Sequence, residues 1–270
     1  MASSALPLVR HTLRRSRWSV IGWSSGLAAA CLLYLPIYPS MKGSGELENL
    51  VASLPSELVS TFGFDAISTG AGYTQASLYG LLGFILTTIA AVGWGAAAIG
   101  GEEVSGALEL TLAHGVTRLQ VALEASLALA VRPVIVCSVL AVTVLALNGP
   151  SQLDLTAANV IAGSLALYLL SLLSGFASIT AGALTGSRTA SIVAGATVAV
   201  LAYALNIVGN QTESTQWLRS LSPYSWVLGS TPLASGFSEQ ATAGMAVTLG
   251  ICGLLVLVSA VGLHRRDIGR

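Results

Sequence analysis

Six stretches of this chain run for roughly the 20 apolar residues that a helix needs to cross the hydrocarbon of a bilayer. They lie at about 18–37, 77–98, 122–147, 157–184, 189–209 and 241–263. Backbone inside lipid must satisfy its own hydrogen bonds, so each stretch is read as a helix and the fold as all-α and polytopic. Only 9% of the 270 residues are charged, against about a quarter in a soluble domain. The spans consume most of the chain, which leaves 1–270 as a single membrane domain. The segment from Thr156 to Ser187 carries no charge at all, whereas Glu124, Arg132 and Pro133 interrupt the third stretch.

Lys and Arg in the flanks set the orientation. With the N-terminus inside, the inner side holds Arg10, Arg14, Arg15, Arg17, Arg118, Arg188, Arg265, Arg266 and Arg270, and the outer side only Lys42 and Arg219. Both termini are therefore expected in the cytoplasm of a bacterial cell. The basic N-terminus followed by the run from Trp18 to Leu35 is read as a retained first span, because the run is long and no clean cleavage site follows it. Ahead of it, Leu6, Val9 and Leu13 fall on one face with arginines opposite, the pattern of an interfacial helix.

The outer loop from Tyr38 to Gln75 places Leu47, Leu50, Val51, Leu54, Leu58, Val59 and Phe62 at helical spacing, so two short amphipathic helices are expected there. The outer loop from Asn210 to Gln240 carries Trp217, Tyr224 and Trp226, aromatics suited to a membrane boundary, and part of it could dip into protein-lined space.

The inner loop is less ordinary. "GEEVSGALELTLAHGVTRLQ" concentrates Glu102, Glu103 and Glu109 in a chain with few charges. Ser105 can cap a helix, and acids near its start suit the positive end of the dipole. Val104, Leu108, Thr111 and Leu112 share a face, Gly115 is a natural stop, and Arg118 begins the next element. The pattern gives a short amphipathic helix parallel to the membrane. From the pattern alone it either rests on lipid headgroups or meets a partner.

This loop resembles the cytoplasmic signature of ABC type-2 transporter permeases, a Glu-Glu-x-x-Gly-Thr-Leu-Glu-Leu-Leu-Leu run followed by a turn and Ser/Thr-Arg. Glu102, Glu103, Gly106, Leu108, Glu109, Leu110, Leu112, Thr117 and Arg118 match in order; Ala107 replaces the usual Thr and Thr111 a usual Leu. "SPYSW" (222–226) and the ending "HRRDIGR" are similar to weaker features of the same family. The resemblance implies six spans with both termini inside. It also implies a coupling helix that docks into a separate ATP-binding subunit, with Glu102, Glu103, Gly106, Leu108, Glu109, Leu112 and Arg118 making or shaping the contact. The implied assembly is an exporter of two permease halves, this chain pairing with itself or a similar chain, and two ATPases that bind ATP and Mg. The implied cargo is a hydrophobic or amphipathic molecule such as a drug, antibiotic or lipid.

The chain carries no cofactor motif of its own. Its one lysine, Lys42, is followed by Gly43, which does not fit the phosphate-binding G-x-x-x-x-G-K-[ST]. "GWSSG" (22–26) matches G-x-S-x-G in letters only, since it lies within a span and not on a strand-to-helix turn. Gly22/Gly26 and Gly182/Gly186 read instead as close helix packing. Cys31, Cys137 and Cys252 each sit in an apolar run, as buried thiols do. No basic stripe points to nucleic acid. An ion-coupled secondary transporter is the rival function and a non-transporting scaffold a third. For the former, Glu124 and Arg132 are the candidate intramembrane polar site. Ser77, Tyr79, Thr87, Thr88, Tyr203 and Asn206 are candidates to face a cavity.

Overall fold

The computed structural model describes residues 6–45, 52–53 and 66–266. The amphipathic helices expected around Leu47 to Phe62 fall outside the described residues, apart from two positions, and so does the end of the chain from 267 to 270.

Six helices are long and apolar enough to cross a membrane: Arg17–Ser44, Gly70–Ala98, Arg118–Asn148, Ala157–Thr185, Arg188–Gly209 and Glu239–Arg265. They are the first to sixth spans below. The described residues contain no strand. The second span starts seven residues before the sequence placed it. Thr69 caps it, its Oγ1 accepting from Gly72 N at 3.0 Å, and Gly70 and Gly72 pass so close to the backbone of Leu153 and Ala66 that no side chain fits. Those glycines read as a loop in sequence, but here they are contact points.

The fourth span is the centre of the bundle. It packs on the second, third, fifth and sixth and is buried along most of its length, whereas the first, fifth and sixth show most of their surface. The outward residues are aliphatic, among them Leu33, Val142, Ile161, Val200, Leu254 and Leu257. Surface of that kind is at home in acyl chains and unfavourable in water. Several hydroxyls inside the spans are satisfied by the preceding turn, while Ser24 and Thr88 stay buried without a partner among the described residues. Ser126, Thr143, Ser178 and Thr180 each donate to the carbonyl four residues back, which removes the cost of a bare hydroxyl in hydrocarbon.

Small residues set the closest crossings, though not all those the spacing named. Gly95 of the second span lies against Gly175 of the fourth, where a methyl on Gly95 would stand 2.5 Å from the Gly175 carbonyl oxygen. Gly182 packs against Ser191 and Gly100, while Gly186, with φ 69°, ends the fourth span in the left-handed region. Gly22 and Gly26 meet nothing within 4 Å and face outward, so within this chain they are not a packing motif.

At the end of the bundle away from the N-terminal helix, the segment 210–240 does return into the protein. Tyr224, Val227, Leu228 and Leu233 are buried, and Tyr224 donates to the Gly80 carbonyl at 2.9 Å. That carbonyl belongs to a wide π-helical stretch, Gln75–Gly83, in the second span. Of the polar residues proposed to face a cavity, Tyr79 bonds to Ser164, and Ser77 and Thr87 to their own helix. Thr88 and Tyr203 line an apolar groove of about 690 Å³ between the second and fifth spans. Asn206 is buried.

Replacing Gly95 with Val forces side-chain carbon into the Gly175 backbone and should destabilise by about 1–3 kcal/mol, the usual cost of overpacking. Gly93→Val, at a position that meets nothing within 4 Å, should leave the thermal midpoint in detergent unchanged. Equal midpoints for the two variants would show that the Gly95–Gly175 crossing does not hold the bundle.

Candidate functional site

The N-terminal helix, the 99–117 loop, the start of the fifth span and the end of the sixth all meet at one end of the bundle. That end carries most of the described arginines.

The loop is not one helix. Gly100–Val104 makes a single turn, and Gly106 then takes φ 74°, a left-handed conformation that strains any residue with a side chain. A second short helix follows at Ala107–Ala113, and Gly115 (φ 81°) turns the chain into the third span. Thr117 caps that span, its Oγ1 accepting from Gln120 N at 3.2 Å. Ser105 is not the cap its position promised. Its hydroxyl donates to the Glu102 carbonyl at 3.0 Å, and the second loop helix starts at Gly106 with no side-chain cap.

The break rotates the expected face. Leu108 is fully buried in the core and Leu112 packs partly against it, while Val104 is 70% and Leu110 66% exposed. Val104 and Leu110, together with exposed Glu109, form the outward surface of the loop. A straight helix through 104–112 would have put Val104 inward beside Leu108. The left-handed turn at Gly106 interrupts that phase.

The loop is tied down at its acidic end. Glu103 forms an ion pair with Arg266, just past the sixth span, and both side chains are mostly buried. Arg118 donates from Nη1 to the carbonyls of Arg266 (2.5 Å) and His264 (3.3 Å). Gly186 makes room, since a methyl there would lie 2.5 Å from Glu103 Oε1. The loop, the end of the sixth span and the turn between the fourth and fifth are thus clamped together. Glu102 points elsewhere, into a cavity shared with His11 and Arg15. Burial raises its carboxyl above the usual range, an effect that Arg15 and His11 partly offset.

Glu124 and Arg132 are not brought together. The N-terminal helix, Pro7–Arg15, has no side-chain cap of its own. Glu124 supplies one from the third span, where its Oε2 accepts from the backbone N–H of Leu8 (2.8 Å) and Val9 (3.0 Å). Its Oε1 accepts from Gln120 Nε2 at 2.7 Å. A carboxylate at a helix N-terminus satisfies orphan donors and faces the positive end of the dipole. Glu124 lies more than 110 positions from Leu8 and Val9, so no local pattern could have revealed the contact. Arg132 is 3% exposed, donates from Nε to the Ala128 carbonyl at 3.0 Å, and sets its guanidinium 5.5 Å from the centre of the Trp94 ring.

Glu124→Ala leaves the N–H groups of Leu8 and Val9 without their acceptor. The N-terminal helix should detach from the third span at a cost of about 1.5–3 kcal/mol, typical of hydrogen bonds to a charged group. Amide exchange over residues 7–15 should rise at least ten-fold, with the six spans still protected. Unchanged exchange there would remove the capping role.

The family model described as multidrug efflux system permease Rv1217c, C-terminal domain, matches residues 9–265. No curated protein and no solved structure matches the chain.

Proposed function

We propose that this chain, which belongs to the family of the multidrug efflux system permease Rv1217c C-terminal domain, works as the membrane half of an ATP-driven exporter whose ATPase is a separate subunit. The family makes it a multidrug efflux permease, and its six apolar helices make it a membrane protein. Beyond that, the reading is built from the loop at the basic end. The concentration of arginine there supports the reading that this end, and with it both termini, faces the cytoplasm of a bacterial cell.

The observation that carries the reading is a short loop that is fixed on one side and bare on the other. Leu108 anchors it in the core, and Glu103–Arg266 and Arg118 tie it to the sixth span. Val104, Glu109 and Leu110 remain exposed. An apolar pair flanked by a carboxylate suits docking into a cleft of an ATP-binding subunit, and the anchors let a push on the loop move whole spans. Gly106 permits the bend that presents this face, and Leu112 supports it from behind. ATP and Mg belong to the ATPase, and a second permease half, identical or similar, completes the pore.

The cargo fits the same picture. The groove between the second and fifth spans is lined almost wholly by apolar side chains, with Thr88 and Tyr203 as its polar points. A hydrophobic or amphipathic drug, antibiotic or lipid matches it better than an ion. The ion-coupled alternative rested on Glu124 and Arg132 as the candidate intramembrane polar site, and the commitment of Glu124 to the N-terminal helix weighs against it.

The test is purification of this chain from its native cells, with any co-purifying ABC ATP-binding subunit identified by mass spectrometry. Val104→Asp and Leu110→Asp together should abolish association and ATP-dependent efflux while the protein still inserts and elutes normally. Val142→Asp, on the lipid-facing side of the third span, should impair insertion instead. Full association of the loop double variant would contradict the docking role.

A further inference from the structure

We propose that the cavity beneath the N-terminal helix is a binding site for an anionic phosphate group, with Arg132 as its floor. The cavity measures about 460 Å³ and lies between that helix, the loop and the second, third and fifth spans. Its charged lining is His11 and Arg15 from the N-terminal helix, Arg132 from the third span, Arg188 from the fifth and Glu102 from the loop. Three arginines and a histidine thus face one carboxylate.

Arg132 gives the site its direction. Its Nε is satisfied by Ala128, and Trp94 covers one face of the guanidinium. Trp94 is itself held by a hydrogen bond from its Nε1 to Ser19 Oγ at 3.0 Å. Arg132 Nη2 is buried and has no partner. Among the described residues, no carboxylate forms an ion pair with Arg132, Arg15 or Arg188; the ion pair found there joins Glu103 and Arg266. Glu124, the nearest acid along the third span, is committed to Leu8, Val9 and Gln120. A buried guanidinium with a free N–H is costly to hold unless a hydrogen-bonding anion meets it. Phosphate oxygens accept the planar fork of arginine well, and the rim supplies further positive charge to hold the group.

The volume accommodates a phosphate with a small polar substituent. Such a group comes either from the headgroup of an anionic phospholipid in the inner leaflet or from soluble phosphate in the cytosol. The cavity shares no lining residue with the groove proposed for cargo and needs no ATPase to form, so the site can be tested on the isolated permease.

Wild-type protein in detergent micelles is mixed with phosphatidylglycerol or phosphatidylcholine, and bound lipid is counted by native mass spectrometry. Inorganic phosphate is titrated in parallel, read by thermal midpoint and by displacement of lipid. Arg132→Gln should lower phosphatidylglycerol occupancy about ten-fold, the scale of one lost charge-assisted hydrogen bond. Arg132→Lys should restore part of it, and Arg14→Gln, on the N-terminal helix but outside the cavity, should change it less than two-fold. Tight phosphatidylglycerol that free phosphate does not displace identifies a lipid headgroup. Stabilisation by inorganic phosphate, with displacement of lipid, identifies a soluble anion. Should Arg132→Gln fail to yield folded protein, exposed Arg15→Gln decides, with an expected loss of about three-fold. Wild-type protein that binds neither probe, or cavity variants that bind as wild type does, would overturn the assignment.

Discussion

Hydrocarbon offers no hydrogen bonds, and that constraint organises the molecule. A polar group that enters the bundle is costly unless it finds a partner there. Ser126 and Ser178 turn back on their own helices, Tyr79 finds Ser164 across a helix interface, and Arg132 keeps one N–H unpartnered among the described residues. Where the chain leaves the bilayer the rule relaxes, and there the charged residues collect. The basic end is therefore both the wettest part of the protein and the part with the most freedom to bind something else.

That end is also cross-braced. Glu124 reaches from the third span to cap the N-terminal helix. Glu103 holds Arg266, and Arg118 holds the backbone behind it. Surface ion pairs contribute little on their own. These contacts matter through what they join, because each links elements remote in sequence: the N-terminal helix to the third span, and the 99–117 loop and the start of the third span to the end of the sixth. An element meant to transmit force has to be stiff toward the spans and open toward its partner. Buried Leu108 and exposed Val104 and Leu110, a few residues apart, satisfy both demands.

The spans were legible in the sequence because length and apolarity are demanded by the bilayer itself, and the ends found differ from those expected mainly where helices run on past the hydrocarbon. The second span began early because Gly70 and Gly72 serve as contact points, and nothing in their local sequence separates a packed glycine from a loop glycine. The loop was legible as a helical, acidic and unusual element. Its break at Gly106 was not, since the choice between Ser105 as a cap and Gly106 as a left-handed hinge depends on how the flanks pack. Glu124 and Arg132 stood out correctly as costly residues. Their separate roles, one at a helix terminus and one under Trp94, come from contacts that periodicity does not encode.

The central claim is that the loop moves with the sixth span as one body. Spin labels at the exposed positions Leu110 and Val261, in protein whose three native cysteines have been replaced, report that geometry directly through their distance distribution. A single narrow distance is expected in wild-type background, broadening when Arg266→Ala removes the partner of Glu103. A distribution already broad before that change, or one that Arg266→Ala leaves untouched, would mean that the loop is not tied to the span and cannot carry force into it.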